Sequence, residues 1–456
     1  MGEAVMSSAD QYAPLRGRPY LKLLVLAALL GVPIAAASYW FLQLITLIQK
    51  WVYTDLPRGL GLGREPLWWP LVPLLVAGLV VGLAIRYLPG RGGESPAEGF
   101  HAGGVTRPEA LPGVALAALA GIGLGVVIGP EAPLIALGGG LAYLAVWLRR
   151  RNVPERAGAV VAASGSFAAV STLLGSPLAG AFLLLEASGL GGATAAAVLV
   201  PGLLAAGTGS LIFIGLDSLT GHGTFSLVIP HLPPAHRPTI AQFLWALAIG
   251  LAAGVLCWAL RRLALLLRTR AERRVLASTM LAGAVTAAIA IGYAAVTGRS
   301  SSDLLFSGQF GLPKLLTDSA GYSVPALVLL IIGKGIAYCL ALSAFRGGPT
   351  FPAIFIGAAG GVALSHLTGL PLVTAAAMGI GAMIAGMLKL PLSAVLLTTL
   401  LLGANGLTVL PLVIVSAVVA YVLSIRLTPP PDVPATQRAP AGGAAGGATP
   451  AADHGR

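Results

Sequence analysis

Charge is scarce in this chain. Only 10% of the residues are charged and 56% are hydrophobic, whereas soluble domains carry about 25% charged residues. That shortage excludes an ordinary water-soluble globule, and the mean hydropathy of +0.88 agrees. Cysteine is nearly missing. Cys257 and Cys339 both sit in apolar runs, and two isolated thiols form no disulfide framework, zinc site or redox motif. The six histidines, His101, His222, His231, His236, His366 and His454, fall in no H-x-x-x-H or Cys/His cluster. No metal site and no cofactor is therefore expected. Strict polar/apolar alternation is also lacking in the hydrophobic runs, which excludes a transmembrane β-barrel.

Long apolar runs are abundant. Residues 20–48, 68–88, 110–128, 195–214, 240–260 and 323–343 are each long enough to cross a bilayer, which takes roughly 20 apolar residues. The fold class that follows is an all-α polytopic membrane protein. The net charge of +12 comes from arginines in short loops. These are Arg16 and Arg18, then Arg149, Arg150, Arg151 and Arg156, then Arg261, Arg262, Arg268, Arg270, Arg273 and Arg274. The positive-inside rule places such loops in the cytoplasm, so the basicity signals membrane topology and not nucleic-acid binding. Stretches 52–66 and 216–238 are expected outside. A multi-pass protein of the plasma (inner) membrane with both termini cytoplasmic is the resulting expectation. The first apolar segment is too long for a signal peptide and lacks a cleavage site.

The organisation expected is a cytoplasmic lead over 1–17, a membrane domain over 18–427, and a Pro/Ala/Gly-rich tail over 428–456 that reads as disordered, with no soluble regulatory domain. The membrane domain divides into halves of about 18–214 and 240–427, because it repeats itself. Gly129-Pro130-Glu131-Ala132-Pro133 matches Gly348-Pro349-Thr350-Phe351-Pro352, and Ile135 and Gly138 match Ile354 and Gly357 at the same offset. Further along, Pro177-Leu178 matches Pro391-Leu392, and Gly165 pairs with Gly379. Helix breaks at equivalent positions of two halves point to a transport site within the membrane. The 61 glycines, in patterns such as Gly121-xxx-Gly125 and Gly357-xxx-Gly361, serve close helix approach in lipid.

Pro96, Pro133, Pro177, Pro352 and Pro391 mark expected helix starts, where the missing N–H costs nothing. Helix ends inside the membrane are tolerated only when buried in protein or lining an aqueous cavity. Their free N–H groups and partial positive charge make them anion sites. Several converging N-termini would hold an anion weakly enough to release it.

On these motifs the chain resembles the chloride channel and chloride/proton antiporter family, the CLC family, as a divergent prokaryotic-type member. Gly129-Pro130-Glu131-Ala132-Pro133 is similar to that family's G-K/R-E-G-P segment. Gly347 to Pro352 is similar to its G-x-F-x-P segment, and Ser176-Pro177-Leu178-Ala179-Gly180, running to Glu186, to its N-A-P-L-A-G helix start. The resemblance implies an inverted-repeat fold with broken and re-entrant helices, assembled as a homodimer with one ion path per subunit. It implies that Glu131 is the gating carboxylate, occupying an anion site when ionised and swinging out when protonated. An acid inside an apolar segment is itself a functional pointer. The other reading is a carboxylate that only complements the helix dipole.

The implied anion-binding residues are Gly93, Ser95, Pro130, Ala132, Thr350 and Phe351. The family's G-S-G-I-P appears here as Gly92-Gly93-Glu94-Ser95-Pro96, so Gly93 stands at the serine position and Ser95 is the nearest hydroxyl. Ser95-x-x-Glu98 also fits a capping box, and both roles stand. Glu94 is unfavourable beside an anion unless protonated or turned to solvent. Family antiporters commonly carry paired acids where this chain has Glu186 followed by Ala187. Glu186 is then either an inner proton carrier or a satisfied structural acid. The family's late tyrosine has no counterpart by motif, and Tyr421 cannot be assigned. Lys334 either adds potential to the anion path or snorkels to an interface.

The function expected is transport of chloride or similar small anions, gated by Glu131 and passive or weakly proton-coupled. A fully coupled chloride/proton antiporter is the alternative. An intramembrane enzyme would need paired Asp residues, a Ser/His dyad or H-E-x-x-H, and none is present. A membrane scaffold would leave the buried helix breaks without a purpose.

Overall fold

Glycine and proline decide where this chain can be helical, and among the described residues each half holds seven α-helices of eleven residues or more, in the same order. The computed structural model describes residues 16–62, 66–100, 104–220 and 227–428. The first half holds α1 (Arg18–Lys50), α2 (Leu71–Tyr87), α3 (Leu111–Gly123), α4 (Glu131–Arg149), α5 (Glu155–Leu174), α6 (Pro177–Ser188) and α7 (Gly192–Thr220). The second holds α8 (Ile240–Ala271), α9 (Val275–Thr297), α10 (Val324–Ala344), α11 (Thr350–Thr368), α12 (Leu372–Leu388), α13 (Pro391–Leu401) and α14 (Ala404–Leu427). Eight stretches among the described residues are long and apolar enough to span a membrane. The lead 1–15, the tail 429–456 and His101, His222 and His454 lie outside the described residues.

Packing repeats along with order. The pairs α1–α7, α4–α5, α5–α7 and α2–α3 in the first half recur as α8–α14, α11–α12, α12–α14 and α9–α10 in the second. Between the halves, α2 packs on its counterpart α9 and α6 on its counterpart α13. Gly129 likewise forms an antiparallel bridge with its counterpart Gly348. Equivalent segments that meet each other running in opposite directions are the mark of an inverted repeat.

The matched glycines are points of close helix approach. A Cβ on Gly138 or Gly165 would strike the other residue's carbonyl oxygen, and the same holds for Gly357 and Gly379. In lipid, where apolar burial gives helices no reason to prefer one another, such backbone contact supplies the dispersion that joins them. Gly379→Val should therefore separate α12 from α11 and cost about 2 kcal/mol or more. The check is the thermal midpoint of the detergent-solubilised protein, and an unshifted midpoint would contradict the close crossing.

Two expectations about helix starts need correction. Pro177 and Pro391 do open α6 and α13, but Pro133 and Pro352 are third residues of α4 and α11. The first turn's N–H groups lack intrahelical partners wherever the proline falls in it, so the third position is equally free of cost. Pro96 opens a single 3-10 turn, Pro96–Glu98, that ends at Gly99 with φ 122°.

Candidate functional site

The two repeated motifs meet at the centre of the protein. Gly129 N–H donates to the Gly348 carbonyl at 2.8 Å, and Gly348 N–H donates to the Gly129 carbonyl at 2.6 Å. This bridge sets the N-terminus of α4 beside that of α11. Pro130 and Pro349 immediately precede the two helices and bring no N–H of their own. The free donors are then those of the residues that follow.

Glu131 lies in this junction with no exposed surface. Its Oε1 accepts a hydrogen bond from Phe351 N–H of α11 at 3.0 Å. Its Oε2 has no partner, nor does the buried Thr350 Oγ1. Gly129 and Gly348 form the walls, since a Cβ on either would collide with the carboxylate. Among the described residues no cation pairs with Glu131. A buried carboxylate without a counter-ion costs several kcal/mol, and here the compensation comes from one backbone N–H and the positive ends of two helices. The side chain thus occupies the α11 N-terminus.

A cavity of about 710 Å³ opens next to this junction. Gly93, Ser95, Ala132 and Gly347 line it, so it gathers part of the predicted anion-binding set. Ser95 corrects the capping-box reading. It precedes the 3-10 turn but makes no cap bond, and its buried Oγ has no partner. Glu98 instead forms an ion pair with Arg268 of α8. Glu94 is exposed on the cavity rim.

Glu186 is placed elsewhere. Its carboxylate accepts from Leu392 N–H at 2.9 Å, Ser393 N–H at 2.6 Å and Ser393 Oγ at 2.6 Å. The sequence explains why. The α6 start has Ser176, whose Oγ accepts from Ala179 N–H at 3.2 Å, while the equivalent α13 start has Leu390, which cannot cap. Glu186 reaches across the repeat interface to supply the missing acceptor. Glu186→Ala should lower stability by about 2 kcal/mol, the worth of a charge-assisted cap, read as a lower thermal midpoint. A midpoint equal to wild type would remove the capping role.

Three residues without a motif also frame the site. Tyr338 of α10 is buried and donates to the Pro349 carbonyl at 2.6 Å, fixing the approach to α11. Lys334, one turn earlier, neither snorkels nor lines the cavity. It is fully buried, and its Nζ donates to the carbonyls of Leu304 at 2.8 Å, Leu305 at 2.9 Å and Asp303 at 3.4 Å. It also stands 4.4 Å from the centre of the Phe355 ring. The Asp303 side chain is held in turn by Arg299 at 3.2 Å and by the Tyr322 hydroxyl at 3.1 Å. Burial, with the Asp303 charge beside it, pushes that hydroxyl up to about 12, so it stays a donor at neutral pH. Arg346 sits on the cavity wall between α10 and the bridge. Tyr421 is half-buried in α14 and does not line the cavity. A polar residue inside or just after the apolar run 323–343 was the only signal available for Tyr338 and Arg346.

Comparison with known proteins agrees with this architecture. The sequence profile of the family described as "Voltage gated chloride channel" matches residues 77–425. The relative named "Putative ion-transport protein YfeO" of Salmonella paratyphi A is 30% identical over 359 residues, covering 78% of this chain and 84% of the relative. The protein of the same name from Salmonella typhimurium gives the same identity and coverage. Among solved structures, a slow cyanobacterial Cl⁻/H⁺ antiporter superimposes with a TM-score of 0.69 at 20% identity, covering 89% of this chain and 94% of that one. A CLC-type fluoride/proton antiporter gives 0.65 at 21% identity, covering 89% and 95%. Those two likenesses establish a shared fold. With the profile match over most of the membrane helices and the inverted repeat around Glu131, they lead to one conclusion: this chain belongs to the voltage gated chloride channel family.

Proposed function

We propose that this protein moves small monovalent anions, chloride foremost, across the membrane through the junction of α4 and α11, with Glu131 as the gate. One observation carries the reading. The buried Glu131 carboxylate takes the Phe351 N–H at 3.0 Å and has no cation beside it, so it stands in for an anion at a helix N-terminus. Protonation removes the charge that holds it there, and an incoming anion then competes for the same N–H. Family membership and relatives named for ion transport support the substrate class.

Weak or absent proton coupling is the reading favoured here. Three hydrogen bonds fasten Glu186 as a cap on α13, which suits a structural acid better than a proton carrier. Ala187 takes the neighbouring position, where the family commonly has a second acid.

The test is chloride efflux from liposomes containing the purified protein, with proton movement followed at the same time under a potassium/valinomycin clamp. Chloride efflux with little or no accompanying proton uptake is expected. Uphill proton movement driven by chloride would replace this reading with coupled antiport, and the absence of any anion flux would overturn the transport function.

A further inference from the structure

We propose that Tyr338 is a positioning residue for the anion: by holding the Pro349 carbonyl it directs the Thr350 and Phe351 N–H groups, and so sets how tightly the α11 N-terminus binds chloride. The proposal rests on the anion-transport reading and adds a residue to its site.

Tyr338 has no exposed surface, and its hydroxyl donates to the Pro349 carbonyl at 2.6 Å. That carbonyl and the Thr350 N–H belong to one planar peptide unit. A hydrogen bond to the oxygen holds the plane and polarises the unit, which makes its N–H a stronger donor. The next unit carries the Phe351 N–H, which meets Glu131 Oε1 at 3.0 Å. Just ahead of them, the Gly129–Gly348 bridge holds residue 348, and the proline ring fixes φ at residue 349. The turn is therefore pinned residue by residue up to the first free donor.

The support for Tyr338 is itself firm. One turn earlier in α10, Lys334 Nζ is anchored on the Leu304 and Leu305 carbonyls at 2.8 and 2.9 Å. It also stands 4.4 Å from the centre of the Phe355 ring of α11. α10 thus meets α11 at the carbonyl that opens it and again at its second turn.

The internal repeat separates this contact from a general need of the fold. Tyr338 stands eleven residues before Pro349, and eleven residues before Pro130 the first half has Leu119, which has no hydroxyl. There the Pro130 carbonyl accepts from Leu134 N–H of its own helix at 3.0 Å. A helix start of this kind forms without a tyrosine. The hydroxyl belongs to the half whose helix N-terminus receives the Glu131 side chain.

Titration calorimetry of the purified protein in detergent, with sodium chloride as the probe, tests this. The Glu131→Gln background is used, where no carboxylate competes for the N–H groups. Adding Tyr338→Phe keeps the ring and removes only the hydroxyl. Chloride should bind the double variant about fivefold more weakly than Glu131→Gln alone, the worth of one neutral hydrogen bond. A hydroxyl that served stability alone would lower the thermal midpoint and leave the affinity of the folded protein unchanged. Equal affinities would therefore overturn the proposal and leave transport standing. If the double variant does not fold, a fluorotyrosine inserted in place of Tyr338 decides the matter, since it keeps the hydroxyl and donates more strongly. It should tighten chloride about twofold, and unchanged binding would overturn the proposal. A folded Glu131→Gln protein that binds no chloride would overturn the anion reading and this proposal with it.

Discussion

Glu131→Gln is expected to raise chloride flux at neutral pH by about tenfold or more and to flatten its dependence on pH. The carboxylate is held at the α11 N-terminus by a charge-assisted hydrogen bond from Phe351 N–H at 3.0 Å, worth about 1.5–3 kcal/mol. A neutral amide keeps the shape but loses that charge, and each 1.4 kcal/mol is about a factor of ten in competition with the anion. On the proposed mechanism acid does the same in wild type by protonating Glu131, so wild-type flux should rise as pH falls. The variant has no proton to gain at that position and should give one rate from acid to neutral pH. Flux measured from liposomes across that range decides it. A Glu131→Gln protein that retains the wild-type pH profile would take Glu131 out of the gate.

Lys334→Met should be the most destabilising single change among the polar residues around the site, at about 3 kcal/mol or more. Burying an ammonium is costly, and here that cost is offset by three carbonyls, those of Asp303, Leu304 and Leu305, with the Phe355 ring beside them. Methionine fills a similar volume but leaves those carbonyls buried without donors, and each unsatisfied acceptor costs about 1–3 kcal/mol. The turn following Ser301–Asp303 should loosen and take with it the seating of Phe355 in α11. Loss of folded protein in size-exclusion chromatography, or a much lower thermal midpoint, is the expected result. A stable Lys334→Met protein with wild-type flux would mean that the carbonyls find water instead.

The parts of this fold that could be read from sequence are those fixed by local backbone physics. Long apolar runs located the helices, and glycine-proline pairs located the breaks, because glycine admits non-helical conformations at little cost and proline fixes φ and removes a donor. The pairing of Gly138 with Gly357, and of Gly165 with Gly379, read as a repeat and reappeared as two identical helix crossings. What stayed hidden depends on distant segments meeting. The donor to Glu131 belongs to a helix in the other half, brought there by the Gly129–Gly348 bridge. Ser95 fitted a capping box by spacing, but Glu98 N–H donates to the Ser95 carbonyl at 3.1 Å and not to its hydroxyl, and Arg268 takes the glutamate side chain. Glu186 caps α13, a helix of the other half, because Leu390 cannot. Arg346 looked like one more arginine at a helix end until the cavity beside it was visible.

The most direct test of the central claim is a crystal structure of Glu131→Gln grown in bromide, read by anomalous scattering. If the carboxylate occupies an anion's seat, a bromide peak should appear within hydrogen-bond reach of the Phe351 N–H, between the α4 and α11 N-termini. An empty junction in a variant that still conducts bromide would place the anion path elsewhere and contradict the account.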